Sequence, residues 1–312
     1  MTNRDVLKES IKQLIKYLVW SQLKYEQGEK KNIFIFTSRR SGGTWLTEII
    51  ARQKGIRQIS EPFALNHVAY PLVREIPIQE HDQLIHLGDE DLKQLEAYFE
   101  HLRSGRLIVN SEWNPFNSKL NYKSDRIVFK IPNAHAMMPW FMERYDAHFL
   151  LHVRHPIGQS LSCIKRDFKN TAEVYLNNPW FVENHLTQEM VDESWKILQS
   201  GSEIEQHVLN WCLENRVPAE LAKQDKFYVS RYEDMVHELD KSLEEIGKYC
   251  DMPYHTTFHH YRKPSKTTGS DRLDNIKNGQ DVAYHWKKKV GEAEEKRANE
   301  IMELFQIPFY LQ

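Results

Sequence analysis

The stretch Thr37-Ser38-Arg39-Arg40-Ser41-Gly42-Gly43-Thr44-Trp45 gathers residue types that bind anions. It follows the apolar run Ile33-Phe34-Ile35-Phe36 and leads into Thr44–Ile50, where apolar residues recur at helical spacing. A loop between a buried strand and a helix start presents unpaired N–H groups and a positive partial charge. Glycine there lets the backbone close around phosphate oxygens. Arg39 and Arg40 add fixed positive charge, and Ser41 and Thr44 add hydroxyl donors. The bland alternative is a tight strand-to-helix turn with solvent-facing arginines. A nucleoside triphosphate loop, GxxxxGK[ST], needs lysine directly after its second glycine. Thr44 follows Gly43, so that pattern fails.

A second anion site follows the run His148–Val153, where Arg154 closes an expected strand and Ser162 stands eight positions on, near the start of the next helix. The guanidinium offers a planar fork to a phosphate, and the hydroxyl reaches the same group. Taken together, the two motifs resemble those of the sulfotransferases, which use 3′-phosphoadenosine-5′-phosphosulfate (PAPS). Arg40-Ser41-Gly42-Gly43-Thr44-Trp45 is similar to that family's phosphosulfate loop, with Arg in place of Lys and Gly in place of one hydroxyl residue. Arg154 and Ser162 match its 3′-phosphate pair. Tyr228–Met235 is similar to its "xRYEDL" segment, which implies that Tyr232, with Trp45, lies near the adenine; either ring alone reads equally well as core packing. Arg262–Ser270 looks like the phosphate-covering loop of bacterial and carbohydrate-type members, which puts Ser265, Lys266 and Thr267 on the nucleotide; a solvated basic loop is the other reading. Trp286-Lys287 and the helix after it also look like theirs. The resemblance implies PAPS as donor, 3′,5′-adenosine bisphosphate as product and no metal.

Sulfuryl transfer also needs a base. The cytosolic branch of the family uses a His in "KTHLP", but the corresponding Lys130-Ile131-Pro132-Asn133-Ala134-His135 has no imidazole at that position. The carbohydrate-type members carry Glu-Pro after the first helix, and Ser60-Glu61-Pro62-Phe63 is similar. Glu61 is therefore the expected base, against the alternative of a loop carboxylate paired with an arginine. His67 and His135 are the reserves. Arg40 would act by charge, since a guanidinium does not deprotonate, and Lys130 would help to hold the sulfuryl oxygens. Two rival classes stay open: a P-loop small-molecule kinase dependent on ATP and Mg²⁺, and a nucleotide-binding scaffold without a working base.

These groups need rigid elements to position them. Strands are expected at 33–36, 106–109, 126–131, 148–153 and 226–230. Helices are expected at 91–103, 136–145, 157–166, 187–215, 235–250 and 292–304. The alternation argues for an α/β fold: a single domain with a central, mostly parallel sheet flanked by helices around a P-loop-like PAPS-binding core. That domain is expected over 32–312. Residues 167–201, with Trp180, Phe181 and Trp195, form an aromatic and polar insertion that suits a sugar acceptor or, equally, ordinary core. Residues 1–31 carry an amphipathic helix with Leu7, Ile11, Leu14, Ile15, Leu18 and Val19 on one face. Docking on the domain is favoured over contact with a membrane surface.

Composition narrows the class. Asp and Glu total 44 against 42 Lys and Arg, a net −2, which argues against a non-specific nucleic-acid binder. Hydrophobic residues at 40% and charged residues at 28% fit a globular enzyme. Twelve glycines in 312 residues fall well below the usual ~7%, so the one adjacent pair, Gly42-Gly43, stands out. Cys163, Cys212 and Cys250 show no paired spacing and are expected to be reduced, in a cytoplasmic chain without a signal peptide. The expected partner is a small-molecule or glycan acceptor; oligomeric state is not legible.

Overall fold

The computed structural model describes residues 28–63, 83–105, 121–252 and 281–310, together with 21–26 and part of the helix between 7 and 19. The expected strand 106–109 lies outside these residues, as do His67, Ser265, Lys266 and Thr267.

Among the described residues, five parallel strands form the central sheet in the order β3-β5-β2-β6-β7. They are β2 (Asn32–Thr37), β3 (Ile56–Ser60), β5 (Arg126–Ile131), β6 (Ala147–Val153) and β7 (Tyr228–Arg231). A separate parallel pair joins β1 (Lys24–Tyr25) to β4 (Lys123–Ser124). β2 and β5 are buried at every residue. Their period-two alternation feeds two cores: Phe34, Phe36, Phe129 and Ile131 enter the larger, Ile33, Ile35 and Val128 the smaller. A parallel sheet covered on both faces is what such runs require.

Helices supply the covers. The described positions between 7 and 21 make α1. Next come α2 (Gly43–Ala51), α3 (Asp89–Arg103), α4 (Met138–Arg144) and α5 (Pro156–Ile164), then α6 (Ala172–Leu176) and α7 (Pro179–His185). After these follow α8 (Gln188–Ser200), α9 (Glu203–Leu221), α10 (Tyr232–His237), α11 (Leu239–Tyr249) and α12 (Glu292–Leu304).

Four readings change. β3 was not expected, because Ile56-Arg57-Gln58-Ile59-Ser60 mixes apolar and polar residues and Arg57 nonetheless ends 5% exposed. The single helix 187–215 is two: Gly201 ends α8, and a capping box starts α9, with Ser202 N–H donating to Glu205 Oε2 and Glu205 N–H to Ser202 Oγ. The helix 235–250 begins earlier and breaks at Glu238. The α1 stripe is also split: Val19 is buried, while Leu7, Ile11, Leu14 and Leu18 are exposed.

Strand register aligns the chemistry. Ser60 pairs with Lys130, Phe36 with Ile131 and Leu151, and Val153 with Arg231. The loop after β2, Glu61 after β3, Lys130 near the end of β5, Arg154 after β6 and Tyr232 after β7 therefore share the carboxyl edge of one sheet. That edge is where open α/β sheets bind ligands.

Candidate functional site

The loop after β2 is built around its two glycines. Gly42 takes φ 99°, and a Cβ there would fall 2.5 Å from Tyr232 Cδ2, so both backbone and space demand glycine. A Cβ at Gly43 would fall 2.4 Å from Thr37 Cγ2. Thr37 at the end of β2 thus fills the room a side chain at 43 would take. Its hydroxyl donates to Ser41 Oγ at 2.5 Å, which donates to the Ser38 carbonyl at 2.7 Å. Ser41 is fully buried and braces the loop from inside.

Arg40 joins the two motifs. Its Nε donates to Ser162 Oγ at 3.1 Å, across 122 positions of sequence, while Arg154 Nη1 donates to the Arg40 carbonyl at 3.2 Å. Arg40 holds a left-handed backbone, φ 65°, an uncommon state for a non-glycine residue. Burial, with Arg166 and Arg154 close by, depresses its guanidinium pKa; burial does the same to Arg154. Arg154 Nε has no partner among the described residues. Cations gathered and desolvated without a bonded carboxylate favour an anion between them. Arg39 lies 5.8 Å from the centroid of Phe168 and in the field of buried Glu214.

Tyr232 ties the motifs to the β7 end. Its ring sits against Gly42, under the Arg154 guanidinium at 5.1 Å, and edge-on to Trp45 at 6.2 Å. The next residue, Glu233, is buried; Oε1 accepts from His155 N–H at 3.1 Å and Oε2 from Tyr310 O–H at 2.5 Å. Burial raises the pKa of its carboxyl. His155 stacks on Trp286 at 4.2 Å, so the C-terminal segment clamps the residue after Arg154.

Glu61, Lys130 and Thr44 form the third group. Lys130 Nζ donates to Glu61 Oε1 at 2.8 Å and to Thr44 Oγ1 at 3.1 Å. Lys130 is on the Val128 face of β5, toward α2, and 10% of its side chain is exposed; Glu61 keeps 50%. Glu61 also has a left-handed backbone, φ 54°, directly before Pro62, a setting that disfavours it. The loop carboxylate is thus paired with a lysine, Lys130. His135 is fully buried beside Phe36, and burial lowers its pKa to about 3. Among the described residues no three His, Cys, Asp or Glu side chains converge as a metal site.

Other supporting residues escaped the sequence reading. Glu214 on α9 is buried behind the loop and bonds to Ser38, Asn210 and Gln83; burial raises its pKa. A carboxylate directly after the apolar Trp211-Cys212-Leu213, one helical turn from Asn210, was the available signal. Within the insertion, Phe181 is core, whereas Trp180 stacks on His86 at 4.5 Å and 12°. The segment bearing His86 runs beside the β5 end, with Leu84 N–H donating to the Asn133 carbonyl at 2.8 Å.

A family model described as the sulfotransferase domain matches residues 30–303. No curated protein matches the chain. Among solved structures, the chain is similar to the sulfotransferase domain from the Synechococcus PCC 7002 olefin synthase, at 15% identity over 93% of this chain and 100% of that one, TM-score 0.48. It is similar to the sulfotransferase domain from the curacin biosynthetic pathway at 16% identity, over 92% and 100%, TM-score 0.45. A mouse sulfotransferase, SULT7A1, complexed with PAP, shares 15% identity over 95% and 89%, TM-score 0.44.

Proposed function

The chain belongs to the sulfotransferase family, and from that premise we propose that it moves a sulfuryl group from PAPS to a hydroxyl of a carbohydrate or glycoside acceptor. The observation that supports this most directly is the Arg40–Ser162 bond, with Arg154 on the Arg40 carbonyl. It merges two anion motifs into one desolvated basic cradle at the sheet's carboxyl edge.

The residues present fit the donor. Arg154 and Ser162 would hold the 3′-phosphate, Tyr232 and Trp45 would face the adenine, and the Gly42-Gly43 turn would cradle the phosphosulfate. When bound, PAPS supplies an activated sulfuryl group on a phosphate leaving group. Arg40 sets a permanent charge against that phosphate, and its tie to Ser162 pre-organises it, so no reorganisation is needed during transfer. Glu61 takes the acceptor's hydroxyl proton on its half-exposed carboxylate. Lys130 orients that carboxylate and, through Thr44, registers it to the loop. Two features favour a sugar acceptor: buried Gln83 and Asn133 lie near the β5 end, and His86, on the segment beside it, and Trp180 stack as planar rings.

Thermal unfolding with 3′,5′-adenosine bisphosphate or ATP–Mg²⁺ tests the donor reading. The bisphosphate is expected to raise the midpoint. Stabilisation by ATP–Mg²⁺ alone overturns it in favour of a kinase. A screen of glycoside, phenol and sterol acceptors with sulfur-labelled PAPS then tests the acceptor class.

A further inference from the structure

Helix α1 buries only part of its apolar residues. Val19 is 6% exposed, but Leu7, Ile11, Leu14 and Leu18 are 61, 50, 59 and 55% exposed. Their steps of four, three and four place them in one stripe, spanning about 17 Å at ~1.5 Å per residue. Water-facing surfaces rarely keep such a stripe uncovered.

Charge identifies the cover. Residues 4–24 carry Arg4, Lys8, Lys12, Lys16 and Lys24 against Asp5 and Glu9, a net +3, which leaves the rest of the chain at −5. Lys8, Lys12 and Lys16 recur every fourth position, a basic ridge at helical spacing, and Lys8 is exposed. The same segment contains Tyr17 and Trp20, residue types that settle at the level of lipid headgroups. We propose that α1 is an interfacial helix that lies on an anionic lipid surface. Its leucine stripe enters the acyl boundary, and its lysines stay among the headgroups. With lysines along its length it lies on the bilayer, and no helix among the described residues is long and apolar enough to cross one. A second copy of the chain fits the stripe less well. The stripe covers two heptads where a coiled coil needs three or four, and Lys8 beside the seam would meet like charge. The inference is independent of the reading of the catalytic site.

The test is co-sedimentation of the full chain with vesicles of phosphatidylcholine alone or mixed with phosphatidylglycerol. Binding to the mixed vesicles is expected, weakening with salt. Replacing Lys8, Lys12 and Lys16 with Gln should weaken it on the order of 100-fold. A Leu14→Glu/Leu18→Glu variant should abolish binding yet keep the wild-type unfolding midpoint, since both positions are exposed. Absence of binding to the phosphatidylglycerol vesicles overturns the proposal. So does a wild-type dimer in sedimentation equilibrium that the Leu14→Glu/Leu18→Glu variant dissociates, because a second copy would then cover the stripe.

Discussion

Glu61 and Lys130 are joined twice: Glu61 N–H donates to the Lys130 carbonyl at 2.8 Å, and the Lys130 ammonium donates to Glu61 Oε1 at 2.8 Å. The backbone bond extends the β3–β5 ladder by one residue, and the ion pair then fixes the carboxylate over the sheet edge. Two attachments account for how a left-handed glutamate before proline persists, since such strain lasts only where its surroundings over-determine it.

If Glu61 is the base, Glu61→Gln keeps the shape, loses proton acceptance and should lower kcat by ~10²–10⁴. Steady-state rates with labelled donor check this. Undiminished transfer moves the role to a histidine. Lys130→Met should show a smaller loss, and the double variant should be less than additive because the two residues act as one unit.

Arg40→Ala should lower kcat by ~10²–10³ while the fold is kept, as for loss of a single pre-organised charge. Arg40→Lys keeps the charge but loses the Nε bond to Ser162, so its rate should fall between alanine and wild type. Equal rates for Lys and Ala would show that placement, rather than charge, is what matters.

Arg154→Gln should weaken binding of 3′,5′-adenosine bisphosphate by roughly 10–100-fold, the range for a lost charge-assisted bond. Ser162→Ala should cost less. Calorimetric titration reads both, and unchanged affinity in Arg154→Gln would remove that residue from the nucleotide site.

Gly43→Thr, which restores the hydroxyl that the family loop carries, should destabilise the fold by ~1–3 kcal/mol through overpacking against Thr37. Thr37→Ala should relieve only part of this, because the Thr37 Cβ itself would remain 2.8 Å from the new Cβ. Denaturant unfolding of the two single variants and the double variant measures each contribution.

Buried histidines should make the fold acid-labile. Burial pushes His152 down to about 4 and His155 to about 3, against an ordinary value of 6.5. The unfolded chain then binds more protons than the native one between those values, so stability is full above pH 6.5 and falls as pH drops toward 4. Glu214 and Glu233, whose pKa values burial raises, act in the opposite sense above their ordinary value of 4.5. His152→Gln isolates one histidine. Its stability should vary less steeply between pH 6.5 and 4, and an unchanged slope would mean that His152 is not buried neutral.

The sequence by itself determined the layout that local chemistry encodes. The runs at 33–36, 126–131 and 149–153, mostly apolar, are buried on both faces and became parallel strands. The loop at 37–45 and the Arg154–Ser162 spacing were legible because residue type and position along one chain segment carry that signal. What only the tertiary structure decided was contact across sequence distance. Strand order placed Glu61 on Lys130, and Lys130 on Thr44, through registers that no local pattern contains. Thr37 took the space above Gly43, and Glu214 came up beneath Ser38 from a helix 176 positions later in the chain. Burial made the same distinction for α1. Leu14 and Val19 lie ~140° apart about the helix axis, and only the packing shows that the Val19 side meets the domain while the Leu14 side does not. Helical period fixes a residue's direction about its own axis, whereas what lies in that direction is set by the rest of the fold.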